Sequence, residues 1–272
     1  ETVTTFNLSG PGSTLNGTGL VLAETYNLAN GATTEEGADL GSGILNSDGD
    51  AEVTLNGDSA AGDVNINSGT FNLNGQLTDV TDLTISGGAT VNLGSEERIN
   101  DPAVVSVLPN GTLNLNGTET IRSYNSNGTL GLSPDAIAGT LVVTESPINL
   151  MDGHISLNGT NLENLVGEDP QLTSNGNVLI RGTAGNTDQG PGNATINVDT
   201  LDIQSGTLTL NGLLTNPDGT IDIRTGATLI SGGADAKPWS APSPSWATAT
   251  PSSPRTATPL GPSSASRRTR IK

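Results

Sequence analysis

The chain has 272 residues, no cysteine and a net charge of −18 at pH 7, with an isoelectric point near 4.1. Such acidity argues against a nucleic-acid partner, because phosphate binding needs clustered Lys and Arg; the missing cysteines exclude disulfide and thiolate chemistry. No apolar run approaches the ~20 residues of a membrane-spanning helix, so no membrane span is expected in this chain.

Residues 1–40 carry strand-like pairs, Phe6/Leu8 and Leu20/Leu22, with weak periodicity. They are expected to form an irregular N-terminal part of the fold. A repeat takes over in residues 41–234. The tripeptide Leu-Asn-Gly occurs six times, starting at Leu15, Leu55, Leu73, Leu115, Leu157 and Leu210, at intervals of 40, 18, 42, 42 and 53 residues. The first four intervals lie near one or two multiples of about 20, and such a period marks a repeat architecture. The last does not fit cleanly.

Residues 69–75 read Gly-Thr-Phe-Asn-Leu-Asn-Gly, residues 111–117 Gly-Thr-Leu-Asn-Leu-Asn-Gly and residues 206–212 Gly-Thr-Leu-Thr-Leu-Asn-Gly. Residues 153–159 are a looser copy, and residues 88–94 hold one extra residue. Apolar and polar positions alternate, as in a strand with one buried face. A second alternating pair precedes most copies: Val64/Ile66, Leu83/Ile85, Val105/Val107, Leu201/Ile203 and Ile221/Ile223. The central apolar residues are Val53, Phe71, Val91, Leu113, Ile155, Leu208 and Leu229, with Leu130 or Leu141, and Val178 or Ile180, filling gaps.

No window shows a helical stripe with caps. Strands this short are unstable alone, but they hold if each coil stacks on the next and buries a shared column. The expected fold is therefore all-β: a right-handed parallel β-helix, or β-solenoid, of about ten coils of ~20 residues. At ~4.8 Å per coil the rod would be roughly 50 Å long. Asn and Gly suit its tight turns because both tolerate left-handed backbone, and stacked Asn side chains can form amide ladders. The sequons at Asn16, Asn110, Asn116, Asn127 and Asn158 arise from the repeat itself and are read as turn residues.

Leu, Ile, Val and Phe number 62, near the ~20% below which acidic chains stay disordered. Regular spacing argues for order up to about residue 234. From residue 235 the composition changes. Residues 235–272 hold 7 of 15 prolines, 6 of 10 basic residues and both tryptophans, but no asparagine. Proline lacks the ladder donor, so this Pro/Ser/Ala/Thr tract is expected to be disordered. It is either a natural linker or an out-of-frame extension of a repeat that stops in mid-pattern.

Signals for chemistry are weak. Polygalacturonases carry Asn-Thr-Asp, Asp-Asp, Gly-His-Gly and Arg-Ile-Lys in that order. This chain has Asn186-Thr187-Asp188, Gly153-His154 and Arg270-Ile271-Lys272, in the wrong order and without an Asp-Asp pair. Glycoside hydrolysis needs carboxylates at a defined separation, and the match is read as chance. The four arginines before the tail, Arg98, Arg122, Arg181 and Arg224, are too dispersed for a lyase cluster. Asp48-Gly49-Asp50 supplies two carboxylates where Ca²⁺ takes six to eight oxygens, and reads as a solvated turn. His154, the only histidine, has no Ser/His/Asp constellation. No residue is nominated as catalytic, cofactor-binding or metal-ligating, and no cofactor is expected.

The Gly-Thr-Leu-x-Leu-Asn-Gly units at residues 111–117 and 206–212 resemble the repeats of bacterial autotransporter passengers and filamentous-haemagglutinin-type adhesins. The resemblance covers about residues 40–234. It implies a secreted or outer-membrane-surface β-helical stalk, low in Cys and Lys and of Gram-negative origin. No outer-membrane barrel follows the repeats, no two-partner secretion domain precedes them and the chain starts at Glu1, so a fragment of a larger exoprotein is expected. The family carries over no site residues, because its binding functions lie in variable loops. The expected function is a non-enzymatic adhesin or stalk with glycans or cell-surface molecules as partners. The alternative is a carbohydrate-active β-helix enzyme with a degenerate site, which requires a strand face lined by carboxylates and a basic residue.

Overall fold

Segments such as Val64-Asn65-Ile66 and Phe71-Asn72-Leu73 have one apolar edge, and the chain buries it by laying each strand parallel to its counterpart one coil later. The computed structural model describes residues 3–136, 139–145, 148–156, 160–164, 171–181, 194–197, 200–211, 214–215, 220–232 and 269–271. It describes side chains for residues 3–136, 139–145, 148–151, 201–208 and 221–230. No helix occurs among the described residues, so none is long and apolar enough to cross a membrane. The fold is a parallel β-solenoid.

The first sheet stacks Val3–Ser9, Ala23–Ala29, Ile44–Asp48, Asp63–Ile66, Asp82–Ile85, Val104–Val107 and Ser123–Ser126, then Ile148–Ser156, Gln171–Arg181, Thr200–Ile203 and Thr220–Ile223. The second stacks Thr14–Leu15, Thr33–Thr34, Val53–Leu55, Thr70–Leu73, Thr90–Leu93, Thr112–Leu115 and Thr129–Leu132. A third side begins with Gly19–Val21 on Ala38–Leu40 and continues through single bridges between Leu40, Ser59, Leu77 and Ile99. Beyond them a five-stranded sheet runs from Gly117–Ile121 through Gly139–Val143, Thr160–Asn164 and Ala194–Asn197 to Leu214–Thr215. Residues 3–40 belong to the same stack: Tyr26 lies in register with both Phe6 and Leu45.

Register explains the uneven Leu-Asn-Gly intervals. Leu15, Thr34, Leu55, Leu73 and Leu93 form one inward column of the second sheet, which Asn114 opposite Asn92 carries on to Leu115. Intervals of about 40 are therefore two coils, with Thr34 and Leu93 at the positions skipped. On the first sheet Ser126, Leu150, Ser174 and Ile203 are in register, so the coils there lengthen to 24, 24 and 29 residues. Two such longer coils carry the column from Ile155 through Ile180 to Leu210, whereas Leu157 lies outside the described residues. Leu130, not Leu141, continues the column of Leu113; Val178 continues that of Leu208, and Ile180 that of Ile155.

The interior is a set of aliphatic columns. Val64, Leu83 and Val105 are fully buried beside Ile66, Ile85 and Val107, and they face Phe71, Val91 and Leu113 from the second sheet. Burying each such side chain contributes roughly 1.5–3 kcal/mol. Tyr26 is 0% exposed and keeps its hydroxyl satisfied, donating to the Val21 carbonyl and accepting from the Ala23 amide, both at 2.9 Å.

In the described copies the Asn of Leu-Asn-Gly does not serve as a left-handed turn residue. Among described non-glycine residues only Asn30, Glu97 and Asn110 have positive φ. Its side chain bridges coils instead: Asn74 Nδ2 donates to Asn56 Oδ1 at 2.8 Å, and Asn116 Nδ2 to the Gly94 carbonyl at 2.7 Å. At Gly57 and Gly75 the following glycine is needed for close approach. A Cβ on Gly75 would lie 2.0 Å from the Gly57 carbonyl oxygen of the preceding coil.

Three residues of the Pro-rich tract, Thr269–Ile271, run antiparallel to Thr220–Ile223 at the end of the first sheet. The rest of the tract expected to be disordered lies outside the described residues.

Gly75→Ala forces two coils apart and should cost about 1–3 kcal/mol, as overpacking does. Gly62→Ala meets nothing within 4 Å and should stay within about 0.5 kcal/mol of the parent. Thermal and urea unfolding followed by circular dichroism compares them, and equal losses would contradict the close-packing account.

Candidate functional site

Outward positions of the strands form straight columns, because each coil repeats the same register. On the first sheet Asn7, Asn27, Asn46 and Asn65 are stacked and joined by amide hydrogen bonds. Asn27 Nδ2 donates to Asn7 Oδ1 at 2.8 Å, Asn46 to Asn27 at 3.0 Å and Asn65 to Asn46 at 3.2 Å. Thr84 and Ser106 interrupt the column, and Asn149 resumes it by donating to Asn125 at 3.0 Å. On the second sheet Asn92 donates to Asn72 at 2.9 Å and Asn114 to Asn92 at 2.8 Å. Gly131 ends that ladder by standing opposite Asn114.

An amide suits the column because it carries donor and acceptor on one short plane, matched to the ~4.8 Å coil spacing. Every ladder bond has the same polarity, with Nδ2 reaching back toward the preceding coil. Each amide keeps one N–H and one lone pair free for the exterior.

Beside the second ladder runs a column of threonines, Thr70, Thr90, Thr112 and Thr129, all half-buried. Thr54, Thr33 and Thr14 extend the Asn column in the other direction. This face presents hydroxyls and amides without a charged side chain at any of these positions. The first sheet differs: Asp63 and Asp82 are neighbours in register at its outward edge, both exposed.

One carboxylate points inward. Glu119 is 1% exposed, and its oxygens accept the backbone N–H groups of Arg98 at 2.9 Å and Ile99 at 2.7 Å. It sits where the single bridges of the third side give way to Gly117–Ile121, and the carboxylate takes the place of backbone carbonyls there. Burial pushes its pKa up to about 8; the two N–H groups oppose that shift and the nearby Glu97 carboxylate adds to it. Glu97, with φ of 52°, accepts a 2.9 Å hydrogen bond from Thr120 Oγ1. Glu119 was missed in reading the sequence for chemistry. The signal lay in alternation: Glu119 precedes Ile121 by two residues, which assigns both to the apolar side.

The residues weighed earlier do not converge. Asn186, Thr187, Asp188 and Lys272 lie outside the described residues. His154 is in register with Leu179, whereas Arg270 stands opposite Asp222 at the end of the sheet. The His154 column continues through Leu179 and Thr209 to Ile230, and Arg270 does not join it. Arg98 donates Nη1 to the Asn74 carbonyl at 2.8 Å, and Arg224 donates Nε to Asp202 Oδ1 at 2.9 Å. Arg122 and Arg181 lie on separate coils, with Arg181 in register with Ser156 and Asn211. Asp48 and Asp50 are exposed around Gly49, whose amide donates to Ser68 Oγ at 2.8 Å. Among the described residues no group of three or more His, Cys, Asp or Glu side chains could hold a metal ion.

No family model, curated protein or solved structure matches this chain.

The pKa of Glu119 predicts a pH dependence of stability. Its folded value of about 8 exceeds the unfolded value of 4.5, so the folded state holds this proton more tightly. The resulting stabilisation is complete below the unfolded value and is lost as pH rises through the folded one. The melting temperature of the parent should therefore fall by several degrees between about pH 5 and pH 8. Glu119→Gln, which cannot ionise, should flatten that slope; an unchanged slope would exclude Glu119 as its source.

Proposed function

We propose that this chain is part of a secreted, surface-displayed β-solenoid stalk of a bacterial exoprotein that makes weak, multivalent contacts along its length and performs no catalysis. The in-register columns of Thr and Asn on the second sheet carry this reading. A donor and an acceptor recur at every coil, so a partner with evenly spaced polar groups meets many equivalent contacts at once. Individually weak contacts then combine into useful avidity. Neutral glycans and cell-surface glycoconjugates have that chemistry. The absence of charge at the stacked Thr and Asn positions in a chain of net charge −18 favours neutral partners over cationic ones. The likeness of the Gly-Thr-Leu-x-Leu-Asn-Gly units to autotransporter passengers and filamentous-haemagglutinin-type adhesins supports a location outside the cell or on the outer membrane.

The carbohydrate-active enzyme has less support. The Thr/Asn face offers no carboxylate, and Glu119, the carboxyl group with a raised pKa, is sealed inside the coil stack. Asp63 and Asp82 stand together at an exposed edge, but two carboxylates without a cleft do not position a glycosidic bond.

The purified chain, screened on a glycan array and on cell surfaces, should bind a subset of neutral glycans with fast dissociation. Thr90→Lys combined with Thr112→Lys should lower that binding at least tenfold while leaving the circular dichroism spectrum unchanged. Lack of binding on every surface would leave only a passive stalk. Release of reducing ends from polysaccharides would favour the enzyme.

A further inference from the structure

Between the two polar columns of the second sheet a straight strip follows the rod axis. Thr70 and Asn72 flank Phe71, Thr90 and Asn92 flank Val91, and Thr112 and Asn114 flank Leu113. The middle residue of each trio is buried in the core, so backbone alone floors the strip. Two residues of strand set the columns about 7 Å apart, and successive coils repeat them every ~4.8 Å. One flank is a row of hydroxyls. The other is a row of amides, joined through the Asn92–Asn72 and Asn114–Asn92 bonds and each left with donor or acceptor capacity for the exterior.

The strip has definite ends. Phe71 pairs with Val53, so Thr70 follows the exposed Glu52 in its column, and a carboxylate stands there one coil earlier. At the other end Thr129 continues the hydroxyls, but Gly131 stands opposite Asn114 and contributes no amide. No described strand of the second sheet follows Thr129–Leu132. The result is three complete Thr/Asn rungs and one half-rung.

These dimensions select among neutral polymers. A chain lying along the strip has to run straight, advance close to one coil spacing per unit and offer hydroxyls on both edges. A β-1,4-linked pyranose polymer meets all three conditions. Its equatorial linkages keep it extended, and alternate sugars turn over, so hydroxyls appear on both sides. Chains linked α-1,4 or β-1,3 curve away from a straight row. Acidic polysaccharides are opposed by Glu52 and by the net charge of −18.

We propose that the Thr/Asn strip binds a linear, neutral β-1,4-linked glycan laid parallel to the rod axis, one sugar per coil over four sugars. This rests on the glycan-binding reading of the same face and adds the linkage, the direction and the length of the bound segment. No aromatic side chain stands at these outward positions, so each rung contributes through hydrogen bonds and the single contact is weak.

NMR titration of the full chain with cello-, manno- and xylo-oligosaccharides of two to six sugars tests this. In at least one series affinity should rise about threefold to tenfold per sugar up to the third, the worth of a net hydrogen bond or two. The gain should shrink at the fourth sugar and vanish beyond it. Malto- and laminari-oligosaccharides of equal length should bind more weakly. Glu52→Thr, which extends the hydroxyl column beside Thr54, should move the plateau from four sugars to five. Thr90→Val, which keeps the side-chain shape and removes the hydroxyl, should weaken the tetrasaccharide at least threefold; circular dichroism checks that both variants are folded. Affinity independent of length, affinity still climbing at six sugars, equal binding of the curved series, or a plateau unmoved in Glu52→Thr overturns the proposal. Binding confined to other neutral glycans overturns it too but leaves the glycan-binding stalk standing, whereas no binding to any neutral glycan removes both.

Discussion

Parallel pairing of each strand with its counterpart one coil later is the constraint on which everything else in this molecule rests. It converts a one-dimensional sequence pattern into columns: whatever residue occupies a position in one coil lies about 4.8 Å from the equivalent residue in the next. Apolar residues at inward positions then make a continuous core that no single coil could provide. Polar residues at outward positions become ladders. The same rule places Gly75 over the Gly57 carbonyl and leaves no room there for a side chain. A substitution that breaks register is therefore felt in the coil before and the coil after.

This dependence also explains where the rod tolerates polar groups inside. Thr34 occupies an inward leucine position and is 0% exposed, yet its hydroxyl accepts from the amides of Asn56 and Gly57 at 2.9 and 3.2 Å. Ser133 donates to the Leu93 carbonyl at 2.8 Å. Glu119 goes further, replacing backbone carbonyls with a carboxylate where the bridging pattern of the third side changes. In each case the buried polar atom takes up backbone groups that the irregular coil would otherwise leave unpaired, which is the condition for burying it at modest cost.

The outward surface divides by charge. Acidic residues concentrate at strand edges and turns, as at Asp48, Asp58, Asp63 and Asp82, while the second sheet presents Thr and Asn. An acidic periphery keeps the rod soluble and discourages association along its sides. The neutral face is left for contacts that depend on hydrogen bonding and shape.

Much of this was legible in the residues alone. The alternation in Gly-Thr-Phe-Asn-Leu-Asn-Gly and its recurrence near 20 residues suffice for an all-β stack of coils, because only a solenoid buries so many short strands. Phe71, Val91 and Leu113 were identifiable as core, whereas the Asn residues read first as turn formers, with an amide ladder as a further option. Other features came only with the tertiary structure. Coil length among the described residues varies from 17 to 34 residues, and whether Leu130 or Leu141 continues a column depends on how far each turn carries the chain. The Asn of Leu-Asn-Gly has the sequence signature of a turn residue, yet at Asn56, Asn74 and Asn116 it bridges coils through its side chain, to partners some 20 residues away rather than beside it. Glu119 follows the strand alternation, but its burial is decided by the Arg98 and Ile99 amides that receive it. Sequence period determines that coils stack; three-dimensional register determines which groups meet.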